Sequence, residues 1–255
     1  MRFLFLILFL LSSILAILAT PTYEGAEMVV FEDPSDPKNS LIYFLVILIF
    51  TVFILLTVKY KKFLTFLIYF LTFISIYYIL SPFLNFFSIF AASVLVLALI
   101  KKPNWIVVNV SALLLSSGVS AMFGISLEPI PAIILLSILA FYDFLAVHKT
   151  RHMVKLADVV TEMRAPMLFE IPLRKGKAYM GVGDVVIPNI LAVSAQRFSE
   201  SSYILFFKIS ALTTIVFSLA ALALLIVLVE KKGVSAGLPL INSGAIAGFL
   251  LGSNL

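Results

Sequence analysis

Residues 41–62 read LIYFLVILIFTVFILLTVKYKK: eighteen positions without a charge, then three lysines within four residues. A helix crossing the hydrocarbon layer needs about 20 mostly apolar residues, because with no water present every backbone polar group must be satisfied within the segment. Working outward, eight more runs of this kind can be read. They are Phe3–Ala19, Phe63–Leu80, Phe86–Ile100, Trp105–Ile125, Ile130–Val147, Tyr179–Gln196, Tyr203–Val229 and Val234–Gly252. The chain is 62% hydrophobic and 12% charged, with a mean hydropathy of +1.17, whereas soluble domains carry roughly 25% charged residues. The bilayer is therefore its solvent, and the expected fold is all-α and polytopic, with about nine transmembrane helices. The chain reads as one membrane unit over residues 1–255. Six helices precede about residue 147, a loop covers 148–178, and three helices follow over 179–255.

Charge placement sets the expected orientation, since short cytoplasmic loops hold the excess of Lys and Arg. With the N-terminus inside, 15 of the 18 basic residues fall on the inner side, and Lys208 falls within the eighth run. The loop after the first run carries Glu24, Glu27, Glu32, Asp33 and Asp36, so the outer side is acidic. This reading puts the C-terminus outside. The first run could be a signal peptide headed by Arg2, but no small-x-small cleavage site follows it, and a retained helix is expected. The net charge of +5 lies in clusters between apolar runs, with no basic face for nucleic acid. With no cysteine, thiolate catalysis and disulfides are excluded.

Two acids stand inside apolar runs, Asp143 in AFYDFLAVHK and Asp184 in KAYMGVGDVVIP, while the other eleven lie in loops or at run ends. An intramembrane carboxylate costs about 2.5 to 3.5 kcal/mol even on the lenient insertion scale, which marks each as a functional candidate. Asp143 precedes Lys149 by six residues and Asp184 follows Lys177 by seven. At helical rise both would lie roughly 9 to 11 Å from an inner-side anchor, at one depth on consecutive antiparallel spans. The alternative partner, Lys208, would sit about five residues into the eighth run at its outer end, free to snorkel outward. His148 and His152 lack an accompanying carboxylate motif, and no metal or other cofactor is expected.

Two neighbouring carboxyl groups cannot both ionise easily, so they hold one proton between them and supply an acid and a base together. Water activated by such a pair can hydrolyse an amide. A transmembrane substrate must first unwind, and Gly181 and Gly183 would let its backbone lie beside Asp184. Pro239, read as a helix interruption, would free backbone groups facing a groove. Gly244, Gly248 and Gly252 recur every four residues and read as a packing ridge. MLFEIPL (167–173) has a β-type composition, and its edge could pair with an unwound substrate.

FYD at 141–143, GVGDVVIP at 181–188 and GLP at 237–239 together resemble the presenilin and signal peptide peptidase family, known by YD, GxGD and PAL motifs in the sixth, seventh and ninth helices. The resemblance implies a presenilin-like fold and an intramembrane aspartyl endopeptidase, with Asp143 and Asp184 catalytic. It also implies that Tyr142, Gly181, Val182, Gly183, Gly237, Leu238 and Pro239 support the site or contact substrate. The first proline of PAL is missing here. The pattern fits a divergent microbial, archaeal-type member acting on transmembrane-helix substrates or signal peptides within the lipid bilayer, without obligatory subunits and with its site toward the cytoplasm. Prepilin-type peptidases share GxGD but are expected to have fewer spans. The rival class is a proton- or cation-coupled transporter using the paired acids.

Overall fold

The computed structural model describes residues 2–57, 59–146, 167–173, 176–232 and 236–255. Among them are nine helices: α1 (Leu4–Gly25), α2 (Lys38–Thr57), α3 (Lys61–Leu84), α4 (Phe87–Lys101), α5 (Trp105–Gly124), α6 (Pro129–Leu145), α7 (Gly183–Phe198), α8 (Ile209–Lys232) and α9 (Leu238–Gly252). Two antiparallel hairpins interrupt the helical series. One pairs β1 (Leu168–Pro172) with β2 (Lys177–Gly181), and the other pairs β3 (Tyr203–Ile204) with β4 (Phe207–Lys208).

The helices begin where the sequence supplies a start. The Asn104 side chain accepts from the Val107 N–H at 2.8 Å and opens α5, as an N-cap does. Prolines sit in the first turns of α6 and α9, where a missing N–H costs nothing. Pro239 therefore opens the last helix, and the expected mid-helix interruption is corrected. Five helices are long and apolar enough to cross a membrane: α1, α2, α3, α5 and the Ile209–Glu230 part of α8. Fully lipid-type faces remain outward, as at Leu56 (70% exposed) and Phe90 (72%); in water such surface would be a liability. The protein is an integral, multi-pass membrane protein.

The first run forms a helix built into the bundle, with Phe9 and Ala16 fully buried. Its polar residues are spent on neighbours: Ser12 shares a 2.8 Å bond with Ser116 of α5, and Ser13 donates to Asn189 Oδ1 of α7 at 2.7 Å. Asn242 of α9 donates to the Leu136 carbonyl of α6 at 2.9 Å. Such interhelical bonds contribute roughly 0.6 kcal/mol each in membranes, so packing carries most of the cohesion. The core joins Leu135 and Leu136 of α6, Ile190, Leu191 and Val193 of α7, and Ala245 of α9. The glycine ridge is packing, as its spacing indicates. A Cβ at Gly248 would lie 2.3 Å from the Thr213 carbonyl oxygen, and one at Gly244 would lie 2.7 Å from that of Phe217.

Three expected runs start too early. The seventh run begins at Tyr179, but residues 177–181 form β2 and the helix begins at Gly183. The eighth run begins at Tyr203, but 203–208 form the second hairpin and the helix begins at Ile209. The ninth run begins at Val234, but the described helix begins at Leu238. Lys208 is thereby moved out of the span into β4. It is 9% exposed and donates from Nζ to the Arg197 and Ser199 carbonyls at the end of α7. Burial pulls its pKa down, as does the nearby Arg197 charge, against an opposing pull from Glu200. It caps a helix C-terminus instead of snorkelling.

Candidate active site

α6, α7 and α9 are short, with 17, 16 and 15 residues, or about 22 to 26 Å at helical rise. All three have an end at one level. Asp143 lies in the last turn of α6, Asp184 in the first turn of α7, and Gly237 is the N-cap of α9. Helix termini leave backbone groups without intrahelical partners, and here the carboxylates supply some of them. The Leu238 N–H donates to Asp143 Oδ2 at 3.2 Å. The Gly181 N–H donates to the Asp184 carboxylate, and the two carboxylates are near enough to feel each other's charge.

Both acids converge on residues 237–238. A Cβ at Gly237 would lie 3.4 Å from Asp184 Oδ1, while its neighbour Leu238 bonds Asp143. Gly181 is equally close, its Cβ position lying 3.2 Å from Asp184 Oδ2. These two glycines make room for the acid itself. Gly183 is exposed, with nothing within 4 Å of a Cβ position, so the two glycines differ in their surroundings. Val182 couples hairpin to helix: its N–H donates to the Met167 carbonyl at 3.0 Å, and its carbonyl accepts from the Val186 N–H at 2.9 Å.

Tyr142, next to Asp143, meets α2. Its ring meets Phe44 edge-on at 5.9 Å, and its hydroxyl bonds Thr51. Pro239 contributes its fixed backbone at the start of α9. The depth estimate for Asp184 changes too, because the path from Lys177 is a strand and a turn before it is a helix. Lys208 contacts the opposite end of α7, thirteen residues from Asp184, so it is no partner for either acid. His148, His152 and Lys149 lie outside the described residues.

A cavity of about 340 Å³ opens beside Asp184. Its walls are Tyr179 to Gly181 of β2, Leu225 and Val229 of α8, Gly237, and Arg2 and Phe5 at the start of α1. Arg2 Nη1 is 3.3 Å from Glu230 Oε1 across the rim. The α1 and α8 linings were not foreseen, since nothing in an isolated apolar run indicates which face meets a cavity. The two strands of the hairpin are tied together by the buried Glu170 carboxylate of β1, 2.5 Å from Lys177 Nζ of β2.

A helical membrane protein whose carboxylates meet at the broken ends of three helices, beside an open cavity, has the makings of an intramembrane aspartyl protease. A family model described as signal-peptide peptidase, presenilin aspartyl protease matches residues 6–254. The chain belongs to that family. A solved presenilin family intramembrane aspartate protease in a C222 crystal form superposes with a TM-score of 0.79 at 30% identity, covering 100% of this chain and 99% of the other. The P2 crystal form of a presenilin family intramembrane aspartate protease gives 0.77 at 32% identity, covering 98% and 96%. A comparison with curated proteins finds no match. A transporter reading has no support from these likenesses.

Proposed function

We propose that Asp143 and Asp184 are the catalytic pair with which this intramembrane aspartyl protease hydrolyses peptide bonds in transmembrane segments or signal peptides. The observation that carries the assignment is the convergence of both carboxylates on Gly237 and Leu238, beside a cavity that Asp184 and Gly237 line. The ionised member takes a proton from a water as it attacks the scissile carbonyl, and the protonated member hydrogen-bonds the carbonyl oxygen. Collapse of the tetrahedral intermediate passes a proton to the departing amine. The site opens toward the cytoplasm in this reading, with the N-terminus inside, the C-terminus outside and no obligatory subunit.

The substrate-pairing edge is reassigned from MLFEIPL to β2. Leu173 N–H bonds the Gly176 carbonyl, and Val182 N–H bonds that of Met167. Pairs alternate along an antiparallel ladder, so the backbone groups of Lys177, Tyr179 and Gly181 point away from β1. Gly181 spends its N–H on Asp184, and the same edge borders the cavity. An unwound substrate strand on that edge would run past the carboxylates.

The test is cleavage of a detergent-solubilised single-span substrate. Wild type should cut it, and Asp143→Asn and Asp184→Asn should each lose at least about 10³-fold in kcat. Retained cleavage in either variant would refute the assignment, and carboxylate-dependent ion flux in liposomes without proteolysis would favour transport.

A further inference from the structure

We propose that Asn109 is a positioning residue which occupies the outer edge of β1 in place of a missing strand, and thereby fixes which substrate bond meets the carboxylates. This rests on the catalytic reading given above. Asn109 lies in α5, is 5% exposed, and spends both halves of its amide on a single residue. Its Nδ2 donates to the Glu170 carbonyl, and its Oδ1 accepts from the Glu170 N–H, each at 2.8 Å.

The register explains why those groups are available. Residues 167 and 173 bond across to 182 and 176 at the two ends of the ladder, so the alternate residues 168, 170 and 172 direct their backbone groups outward, Pro172 offering only its C=O. An outward N–H and C=O from one residue is what a neighbouring strand would take up, and a primary amide matches both. Exposed strand edges invite pairing wherever they are open. With Asn109 on β1, the open edge of the hairpin is that of β2, beside Asp184.

The clamp also fixes height. Glu170 is opposite Tyr179, two residues before Gly181, whose N–H reaches Asp184. Rigid α5 thus sets the level of β1, β1 sets β2, and β2 meets the carboxylate. Without the amide, the Glu170 groups are left buried and unpaired. The hairpin can then shift by two residues, the smallest slip that keeps its side chains on the same faces.

The experiment uses the full chain in detergent with a single-span substrate, mapping products by mass spectrometry. N109L, close in volume but unable to bond, should move the principal cleavage position by about two residues and lower kcat/KM about tenfold. A short transition-state mimic confined to the carboxylates should bind within about twofold of wild type. Should N109L not fold, N109D carries the test. It keeps the acceptor for the Glu170 N–H but lacks the donor when ionised, and should show the same shift in part of the product. An unchanged product map in a folded variant, with D184N inactive, overturns the role of Asn109 alone. Cleavage by D184N would overturn the catalytic reading and this proposal with it.

Discussion

The two hairpins flank opposite ends of α7, and both are held by a side-chain amide. At the Asp184 end Asn109 grips β1 through Glu170; at the far end Gln196 accepts from the Lys208 N–H at 2.8 Å and donates to the Phe206 carbonyl at 3.0 Å. Beyond that they diverge. The far end closes on itself: Lys208 caps the last carbonyls of α7, and the hydroxyls of Ser199, Ser201 and Ser210 bond one another. The Asp184 end leaves a strand edge and the Asp184 carboxylate facing a cavity, with Asp143 beside it. A hairpin between membrane helices serves as a plug when its polar groups are consumed locally, and as a working surface when one edge is left open.

Exchanging charge for neutrality tests the difference most severely. D184N should abolish proteolysis, whereas K208M at the far end of α7 should leave kcat/KM within about twofold while lowering thermal stability through the lost helix cap. A K208M enzyme as inactive as D184N would erase the distinction. Next in size, the two glycines around Asp184 should separate. G181A must push a carboxylate oxygen from 3.2 Å and should cost about tenfold in kcat. G183A meets open space and should change rates less than about twofold, so equal losses would show that backbone freedom outweighs crowding.

Gln196→Leu sharpens the comparison further. It should loosen β3 and β4, seen as faster amide exchange at 203–208, yet leave every cleavage position where it was. The smallest effect lies in the loop between α1 and α2, where bonds from the Ser35 hydroxyl and N–H hold the Asp33 carboxyl below the usual carboxylate range. The sign follows from linkage: the folded form binds that proton less readily, so its contribution is present above the ordinary value of 3.8 and fades as pH falls through the lowered one. Ser35→Ala should move the Asp33 titration upward, read by carboxyl NMR, without altering proteolysis.

The first six helices were legible because lysines and prolines punctuate them: KYKK precedes α3, KKPN precedes α5, and Pro129 opens α6. The same cue was missing where β2 and β3 adjoin α7 and α8. Tyr179, Met180, Tyr203 and Ile204 are as apolar as any helix residue, and short apolar segments look alike whether extended or helical. At the site, Asp143 and Asp184 stood out because a charge is costly in lipid. Asn109 and Gln196 did not, since an uncharged amide blends into an apolar run and its function depends on a backbone 61 residues or 12 residues away. Gly237 was noted for its motif, but its reason, the closeness of Asp184, exists only in three dimensions.

The near-touching backbones of α8 and α9 at Gly248 and Gly252 turn the last helix into a lever with its fulcrum at the far end. Pivoting α9 by about 5° there would swing Leu238 N roughly 2 Å, more than the bond to Asp143 can stretch. Holding the Asp143 carboxylate in register thus depends on small residues buried some four turns away, at the other end of the same helix.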